Sequence, residues 1–423
     1  MSFGILSVDL SAEQEFYKGL IQMNLKVYKG IAVGSVAIPS SKSIAHRLLI
    51  NAALTDAKTE ITGLSLNEDI RATIDCLRVL GADIEIYDSR CTVHGIRQST
   101  ASPRRLCCRE SGSTLRFMIP LCLDGVRTEL FGSTRLIERP HSVYSEICEK
   151  NGFLWTSDGE KITVDGVLKS GEYSVPGNIS SQFITGLLLS LPTLEGDSLI
   201  KLTTEPESLS YIEMTVASLN AFGIEVDKAS DREWRIRGGQ RRKSPGQISV
   251  EADESGAAFF GALNYLGGDV KMTNLNEKSC QGDRVWRKLF PLLKNGCPEI
   301  SIKDCPDLGP ILMALAAGLN GVTLTDTARL KIKESDRGNA MAEELEKFGV
   351  KVVVEDNEIK VDPSGIHKPI KSLDGHNDHR IVMSLAILLT RFGGTVNGAQ
   401  AVAKSMPDFC RMLNSLGIET EEG

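Results

Sequence analysis

Six short polar clusters in this sequence each stand just before an apolar run of helical length. Ser40-Ser41-Lys42-Ser43 precedes 44–54, Glu110-Ser111-Gly112-Ser113 precedes 115–123, and Gly177-Asn178-Ile179-Ser180-Ser181-Gln182 precedes 183–191. Asp307 precedes 311–319, Lys333-Glu334-Ser335-Asp336-Arg337 precedes 341–348, and Asn377-Asp378-His379-Arg380 precedes 381–389. Ser, Asp and Asn at such places cap a helix by accepting its first free N–H groups. Capping alone does not call for cations in the first turn, where the helix dipole disfavours them. Yet Lys42, Arg47, Arg116, Arg337 and Arg380 lie in or near first turns. Free N–H groups plus cations make anion sites. Several in one chain point to a small, multiply anionic substrate.

The elements that must carry these clusters recur along the chain. An amphipathic helix ends at a glycine, a strand follows, then a short turn and a second strand. The pattern is clear around Gly81, Gly152, Gly223 and Gly349, weaker around Gly296, and cut off just after Gly417. A glycine there is expected to serve as a left-handed helix cap. The first strand, near Leu25, has no helix before it, so the two chain ends are expected to complete each other. The spacing exceeds that of common solenoids. Six α/β units with antiparallel strand pairs suggest two lobes of three units each. Crossings between lobes are expected near Pro39 and in the basic, Pro/Gly-containing stretch 238–246. The division reads as 24–41 plus 248–402 for one lobe and 42–247 plus 403–423 for the other. Residues 1–22 read as an extension or tag.

Composition narrows the class. The chain has 423 residues, 41% hydrophobic and 24% charged, which is ordinary globular usage. No apolar run approaches a membrane span. With 48 basic and 55 acidic residues the net charge is −7, so non-specific nucleic-acid binding has no support. The 10 cysteines form no CxxC pair, which fits free thiols in a reducing cytoplasm and argues against a zinc site. The start lacks the basic and then apolar order of a signal peptide.

Other motifs fail. Ser40-Ser41-Lys42-Ser43 looks like the end of a P-loop, but no glycine precedes Lys42. There is no GxGxxG and no GxSxG, and Asp378-His379-Arg380 is not the kinase order. What does match is a set of five motifs in order. Ile38 to Arg47 resembles the PGSKSxxxR signature of the 5-enolpyruvylshikimate-3-phosphate synthase family, and 330–337 resembles its RxKESDR signature. Ser180-Ser181-Gln182-Phe183, Asn377-Asp378-His379-Arg380 and 403–408 match as well. The resemblance spans roughly 24–420.

It implies an α/β (α+β), two-lobed enolpyruvyl transferase fold of six βαβαββ units, three per lobe, around a cleft. It also implies transfer of the enolpyruvyl group of phosphoenolpyruvate to the 5-hydroxyl of shikimate 3-phosphate. The route is addition and elimination through a tetrahedral intermediate, with no cofactor and no metal. Two phosphates and two carboxylates must be held together, which calls for cations. By resemblance, Lys42, Ser43, Arg47, Ser180, Ser181, Gln182, Ser208, Tyr211, Asp307 and Lys333 bind shikimate 3-phosphate. Lys42, Gly112, Arg135, Gln182, Arg337, His379, Arg380 and Lys404 hold phosphoenolpyruvate. Asp307 is assigned to the substrate hydroxyl, Lys333 to acid/base support and Glu334 to the methylene carbon. A monomer in the cytoplasm, inhibited by glyphosate, with no nucleic-acid or membrane partner, completes the expectation.

Plainer readings stand beside these. Arg135 and Arg139 flank Glu138, and the plainer reading makes them a solvated charge run; Tyr211 reads as a packed lobe-surface tyrosine. His379 reads as a residue that orients Arg380, and Asp253 with Ser255 as a helix cap. Two positions depart from the family loop NAGTxxRP: Glu110 stands for Asn and Phe117 for Pro. Glu110 would oppose an anion unless turned away or paired. Arg329 stands for a common Asn and could add a phosphate contact. The rival readings are the sister enzyme acting on UDP-N-acetylglucosamine, which usually carries a loop cysteine lacking here, and a non-catalytic polyanion-binding scaffold. The scaffold would not need Asp307, Lys333 and Glu334.

Overall fold

A computed structural model describes residues 23–96 and 103–423. The expected extension over 1–22 lies outside the described residues. Among these, five four-stranded sheets and one two-stranded sheet form. One unit shows the logic of the repeat. Strand Arg104–Cys107 runs parallel to Thr128–Phe131, with helix Gly112–Leu121 between them. Helix Ser142–Asn151 follows, and then Leu154–Ser157 and Lys161–Asp165, both antiparallel to their neighbours. This is a βαβαββ unit. A parallel pair needs a long crossover, which the helix supplies, whereas the antiparallel pair closes with a short turn.

The chain ends complete a unit, as expected. Strand Asn24–Val27 lies between Gly394–Asn397 and Thr420–Glu422, pairing antiparallel with both. The cap glycines behave as predicted at Gly152, Gly223, Gly349 and Gly417, with φ of 70°, 73°, 76° and 85°. Gly296 differs: its φ of 164° is extended backbone. The unit there is also incomplete. Its sheet holds only Val33–Val36 and Asp269–Met272, and the strand after Gly296, Glu299–Ser301, already belongs to the next sheet.

Buried apolar side chains fall into two cores. One draws on 25–38 and 252–418, with Phe259, Phe290, Leu312, Phe348 and Leu388 at its centre. The other draws on 45–250, with Leu49, Phe117, Phe183, Phe222 and Trp234. The chain therefore passes from one core to the other near Pro39 and again at 250–252, just after the stretch 238–246. The strand Gln247–Ser249 still pairs with Thr59–Thr62 of the second core. The two crossings lie side by side: Ser41 N donates to Glu251 O at 2.8 Å and Asp253 N to Pro39 O at 2.9 Å. One expectation needs correction. Residues 403–423, read as part of the second lobe, place Phe409, Leu413, Leu416 and Ile418 in the first core. Pairing of Thr420–Glu422 with the first strand holds them there.

Seven helices begin where the cores face each other: α1 (Lys42–Ala53), α2 (Gly112–Leu121), α3 (Ser181–Ser190), α4 (Leu209–Ala221), α5 (Gly309–Ala317), α6 (Arg337–Glu346) and α7 (His379–Leu389). The first four belong to the second core and the last three to the first. No helix among the described residues is long and apolar enough to cross a membrane. Most cysteines are buried thiols, but Cys280 and Cys297 are exposed.

Candidate active site

The starts of these helices are held by their own polar residues. Ser111 accepts from Thr114 N at the head of α2, Ser180 from Gln182 N at α3, and Asp378 from Arg380 N at α7. Asp253 caps the helix Glu254–Tyr265 by accepting from Gly256 N, as the plainer reading had it. The polar clusters therefore do cap, and the same backbone geometry turns their neighbours into one cleft. The residues assigned to the two substrates line that cleft with two exceptions, Arg135 and Lys404.

The first-core wall is a knot of charge. Asp307 Oδ1 meets Lys333 Nζ at 3.2 Å and Arg337 Nη1 at 2.9 Å, and Oδ2 meets Arg380 Nη2 at 3.0 Å. Burial alone would raise the Asp307 carboxyl, but Arg380, Lys333 and Arg337 outweigh it and hold it well below the usual range. Burial pulls the Lys333 ammonium down to about 8, helped by Arg329 and Arg337 and opposed by Asp307. Arg337 is 2% exposed and also donates through Nε to Asp378 Oδ2 at 2.8 Å. Glu334 Oε2 lies 2.9 Å from His379 Nδ1. Burial works against its charge, yet His379, Lys404 and Arg337 keep the carboxyl well below its ordinary value. An ionised carboxylate only accepts, so Nδ1 carries the proton. His379 thus orients Glu334, where the sequence had suggested Arg380.

The second-core wall presents amides, hydroxyls and further cations. Lys42 Nζ donates to Asp69 Oδ2 at 2.8 Å. Burial lowers its pKa, but Asp69 and Glu334 leave it above the ordinary lysine value. Arg47 lines the cleft while donating to Thr215 Oγ1, Ser43 O, Thr185 Oγ1 and Tyr211 O at 2.6–3.2 Å. It ties α1, α3 and α4 together before it meets any substrate. Gln182 donates to Ser113 Oγ at 3.0 Å and accepts from Arg116 Nη1 at 2.7 Å. Ser208 heads α4 with φ of 57° and accepts from Arg329 Nη1 at 2.7 Å. Tyr211 Oη lies 3.3 Å from Asp307 Oδ2, so the two walls touch.

Sequence reasoning missed three cleft cations or under-read them. Arg116 was seen only as a first-turn cation; it is buried and positions Gln182. Arg329 was seen as a departure from the family and does line the cleft. Arg139, grouped with a solvated charge run, lines the cleft, whereas Arg135 is exposed and donates to Lys331 O at 3.3 Å. Arg135 lies within the five-residue helix Thr134–Glu138, and Arg139 is its extended cap. Pro140 after Arg139 was the available signal. Lys404 sits outside the lining, paired with Glu110 and donating to Asn377 O. Glu110 is therefore neutralised, and Asn377 Nδ2 also donates to it at 3.2 Å.

Among the described residues two clusters have the makings of metal ligands, Glu334–Asp378–His379 and Glu343–Glu344–His376. Each already holds a protein cation. Arg337 donates to Asp378, and Lys347 Nζ lies 2.8 Å from both Glu344 carboxylate oxygens. What the cleft as a whole can do is hold two polyanions side by side, with carboxylates placed among the cations for proton transfer.

Comparison with known proteins agrees with this chemistry. A family model described as EPSP synthase (3-phosphoshikimate 1-carboxyvinyltransferase) matches residues 29–292 and 288–413. A 3-phosphoshikimate 1-carboxyvinyltransferase of Clostridium kluyveri is 38% identical over 416 residues, covering 92% of this chain and 96% of its own. The enzyme of that name from Clostridium acetobutylicum is 38% identical over 413 residues, with the same coverage. The solved EPSP synthase of Acinetobacter baumannii superposes with a TM-score of 0.78 at 24% identity, covering 95% of this chain and 100% of its own, which is a likeness of fold.

Proposed function

This chain belongs to the EPSP synthase (3-phosphoshikimate 1-carboxyvinyltransferase) family, and from that premise we propose how its residues divide the work. The reaction transfers the enolpyruvyl group of phosphoenolpyruvate to the 5-hydroxyl of shikimate 3-phosphate and releases phosphate. Ser43, Ser180, Ser181, Gln182, Ser208 and Tyr211 receive shikimate 3-phosphate on the second-core wall, with Arg47 and Arg329 behind them. Lys42, Gly112, Arg139, Arg337 and Arg380 hold phosphoenolpyruvate, and Lys404 joins them when it leaves Glu110. Arg135 remains a candidate for the same half-site from the rim.

Asp307 faces the hydroxyl, Glu334 the methylene carbon, and Lys333 stands between both substrates. The observation that supports this is the knot around Asp307. Three cations from the first core meet a carboxylate that also touches Tyr211 of the second. An incoming polyanion offers the same cations a second partner, which loosens their hold on Asp307 and strengthens it as a base. The deciding assay measures phosphate release with shikimate 3-phosphate, with UDP-N-acetylglucosamine and with neither, and weighs the product by mass. Enolpyruvylshikimate 3-phosphate is expected from the first alone; release only with the UDP-sugar would overturn the substrate.

The same reading makes the chain a cytoplasmic monomer that glyphosate inhibits at the phosphoenolpyruvate half-site. A Cβ on Gly112 would stand 2.8 Å from Arg139 Nη1 and 3.6 Å from Gln182 Oε1. Gly112→Ala therefore has to displace the guanidinium, and it should weaken glyphosate inhibition more than phosphoenolpyruvate use. Equal changes in the inhibition constant and the Michaelis constant would defeat that.

A further inference from the structure

Of the cations assigned to phosphoenolpyruvate, Lys404 is the one whose charge is spent across the cleft. It is among the charges that keep Glu334 ionised, so it stands close to the group assigned to the methylene carbon. Its ammonium is nonetheless paired with Glu110 and donates to Asn377 O. Asn377 Nδ2 in turn faces both oxygens of Glu110, at 3.2 and 3.3 Å. Glu110 lies in the stretch of chain that builds the second core, and Lys404 and Asn377 in the stretch that builds the first. The two charged side chains are 21% and 11% exposed, so salt and water screen the pair only in part.

The turns on both sides are fixed. Arg109, just before Glu110, has φ of 51°, a left-handed conformation that a residue other than glycine keeps only where its surroundings hold it. Its guanidinium reaches Glu68, and its Nη2 donates to Asp75 Oδ2 at 2.9 Å. Its carbonyl accepts from Ser133 N at 2.8 Å, and Ser111 N closes the turn onto Cys108 O at 2.9 Å. Across the cleft Asn377 is left-handed as well, with φ of 50°. Its neighbour Asp378 is tied to Arg337 and to the start of α7. Two held turns thus present Glu110 to Lys404. A carboxylate set on a cation that an anionic substrate needs is a competitor for that cation.

We propose that Glu110 is a resident anion of the phosphoenolpyruvate half-site, holding Lys404 until the substrate's own charge displaces it. The inference rests on the placement of Lys404 among the phosphoenolpyruvate ligands. Shikimate 3-phosphate leaves the cations of that half-site without a counter-charge, and Glu110 supplies one at this edge. Phosphoenolpyruvate then exchanges one ion pair for another. Lys404 turns to the substrate, and Glu110 is left with Asn377 and water. No covalent bond changes. The cost falls on affinity, because a site whose competent form is only partly populated binds more weakly by that fraction. Glu110 acts through Lys404 and not on the reacting atoms, so it is a positioning residue that sets affinity.

Glu110→Gln keeps the shape and the contact with Asn377 but gives up the charge. With shikimate 3-phosphate saturating, the Michaelis constant for phosphoenolpyruvate should fall about 5-fold, the upper end of what a part-exposed ion pair holds. The change should appear there and not in kcat. An unchanged or raised Michaelis constant overturns the inference, and so does a fall in kcat with the Michaelis constant unmoved. Should Glu110→Gln not fold, Glu110→Asn, shorter and also neutral, decides by the same readings. A second pair reads the path through Lys404. Lys404→Met should raise the Michaelis constant, and adding Glu110→Gln to it should bring no further gain. A gain as large as in the wild type would mean that Glu110 acts on another cation, and overturns the pairing. A wild-type Michaelis constant in Lys404→Met overturns the placement of Lys404. A raised one there, beside an unmoved one in Glu110→Gln, strikes down the resident anion alone.

Discussion

Glu334 and Lys333 are neighbours in sequence, yet the site pushes their protons in opposite directions. Glu334 is kept ionised, with His379 the leading cause after burial is overcome, while burial makes Lys333 easier to deprotonate. Glu334→Gln should keep binding of both substrates and lose about 10²–10⁴-fold in kcat, the usual cost of a general acid/base. Ligand dissociation constants and single-turnover rates, measured separately, check this; a near-normal rate would remove Glu334 from the chemistry. Lys333 makes a pH prediction. Its charge is present below about 8 and is lost as pH rises through that value. The ratio kcat/KM reports the free enzyme, so for shikimate 3-phosphate it should decline above pH 8. Lys333→Arg stays charged and should carry the decline to higher pH. An unmoved limb would assign it to another group.

At the scale of elements, the starts of α6 and α7 are locked to each other through Asp378. This residue is fully buried. It caps α7, accepting from Arg380 N at 2.9 Å, and accepts from Arg337 Nε of α6 at 2.8 Å and from Ser335 Oγ at 3.1 Å. Removing one partner of a buried pair leaves the other charge unpaired, which costs about 3–5 kcal/mol. Asp378→Ala should lose stability on that order in urea unfolding, with Asp378→Asn losing less because it keeps the cap. A loss of only ~1 kcal/mol would match a cap without the pair. The helix starts themselves were legible, because a cap and its helix are local in sequence. Their partnership was not, since Arg337 and Asp378 belong to different repeats.

For the whole molecule, the chain passes between the cores twice, and both passages run side by side at Ser41–Glu251 and Pro39–Asp253. Two adjacent passages of chain, joined by the bridge between Ser40 and Ala252, make a natural hinge. Cations from both cores face each other across the cleft and repel until a polyanion arrives. Scattering from the free protein should therefore contract when shikimate 3-phosphate is added, which would also exclude water from the reacting enol. Raised salt, which screens such repulsion, should contract the free protein in part. A profile that is unchanged at saturating ligand would contradict closure.

The sequence by itself determined what is carried by short stretches. The capping serines and aspartates, the repeating glycine before each strand, and the five ordered motifs all read directly, because each depends on residues a few positions apart. Even the joining of the chain ends followed from a strand without a helix and a helix without its last strand. What depends on distant neighbours was decided only by the tertiary structure. Arg135 and Arg139 have the same side chain four positions apart, and only the turn after Glu138 sends the second into the cleft. Glu110 looked hostile to an anion until Lys404 was found beside it. Residues 403–423 joined the first core because their strand pairs with one near the other end of the chain. Burial and charge pairing are properties of a neighbourhood, and most of each neighbourhood comes from elsewhere in the chain.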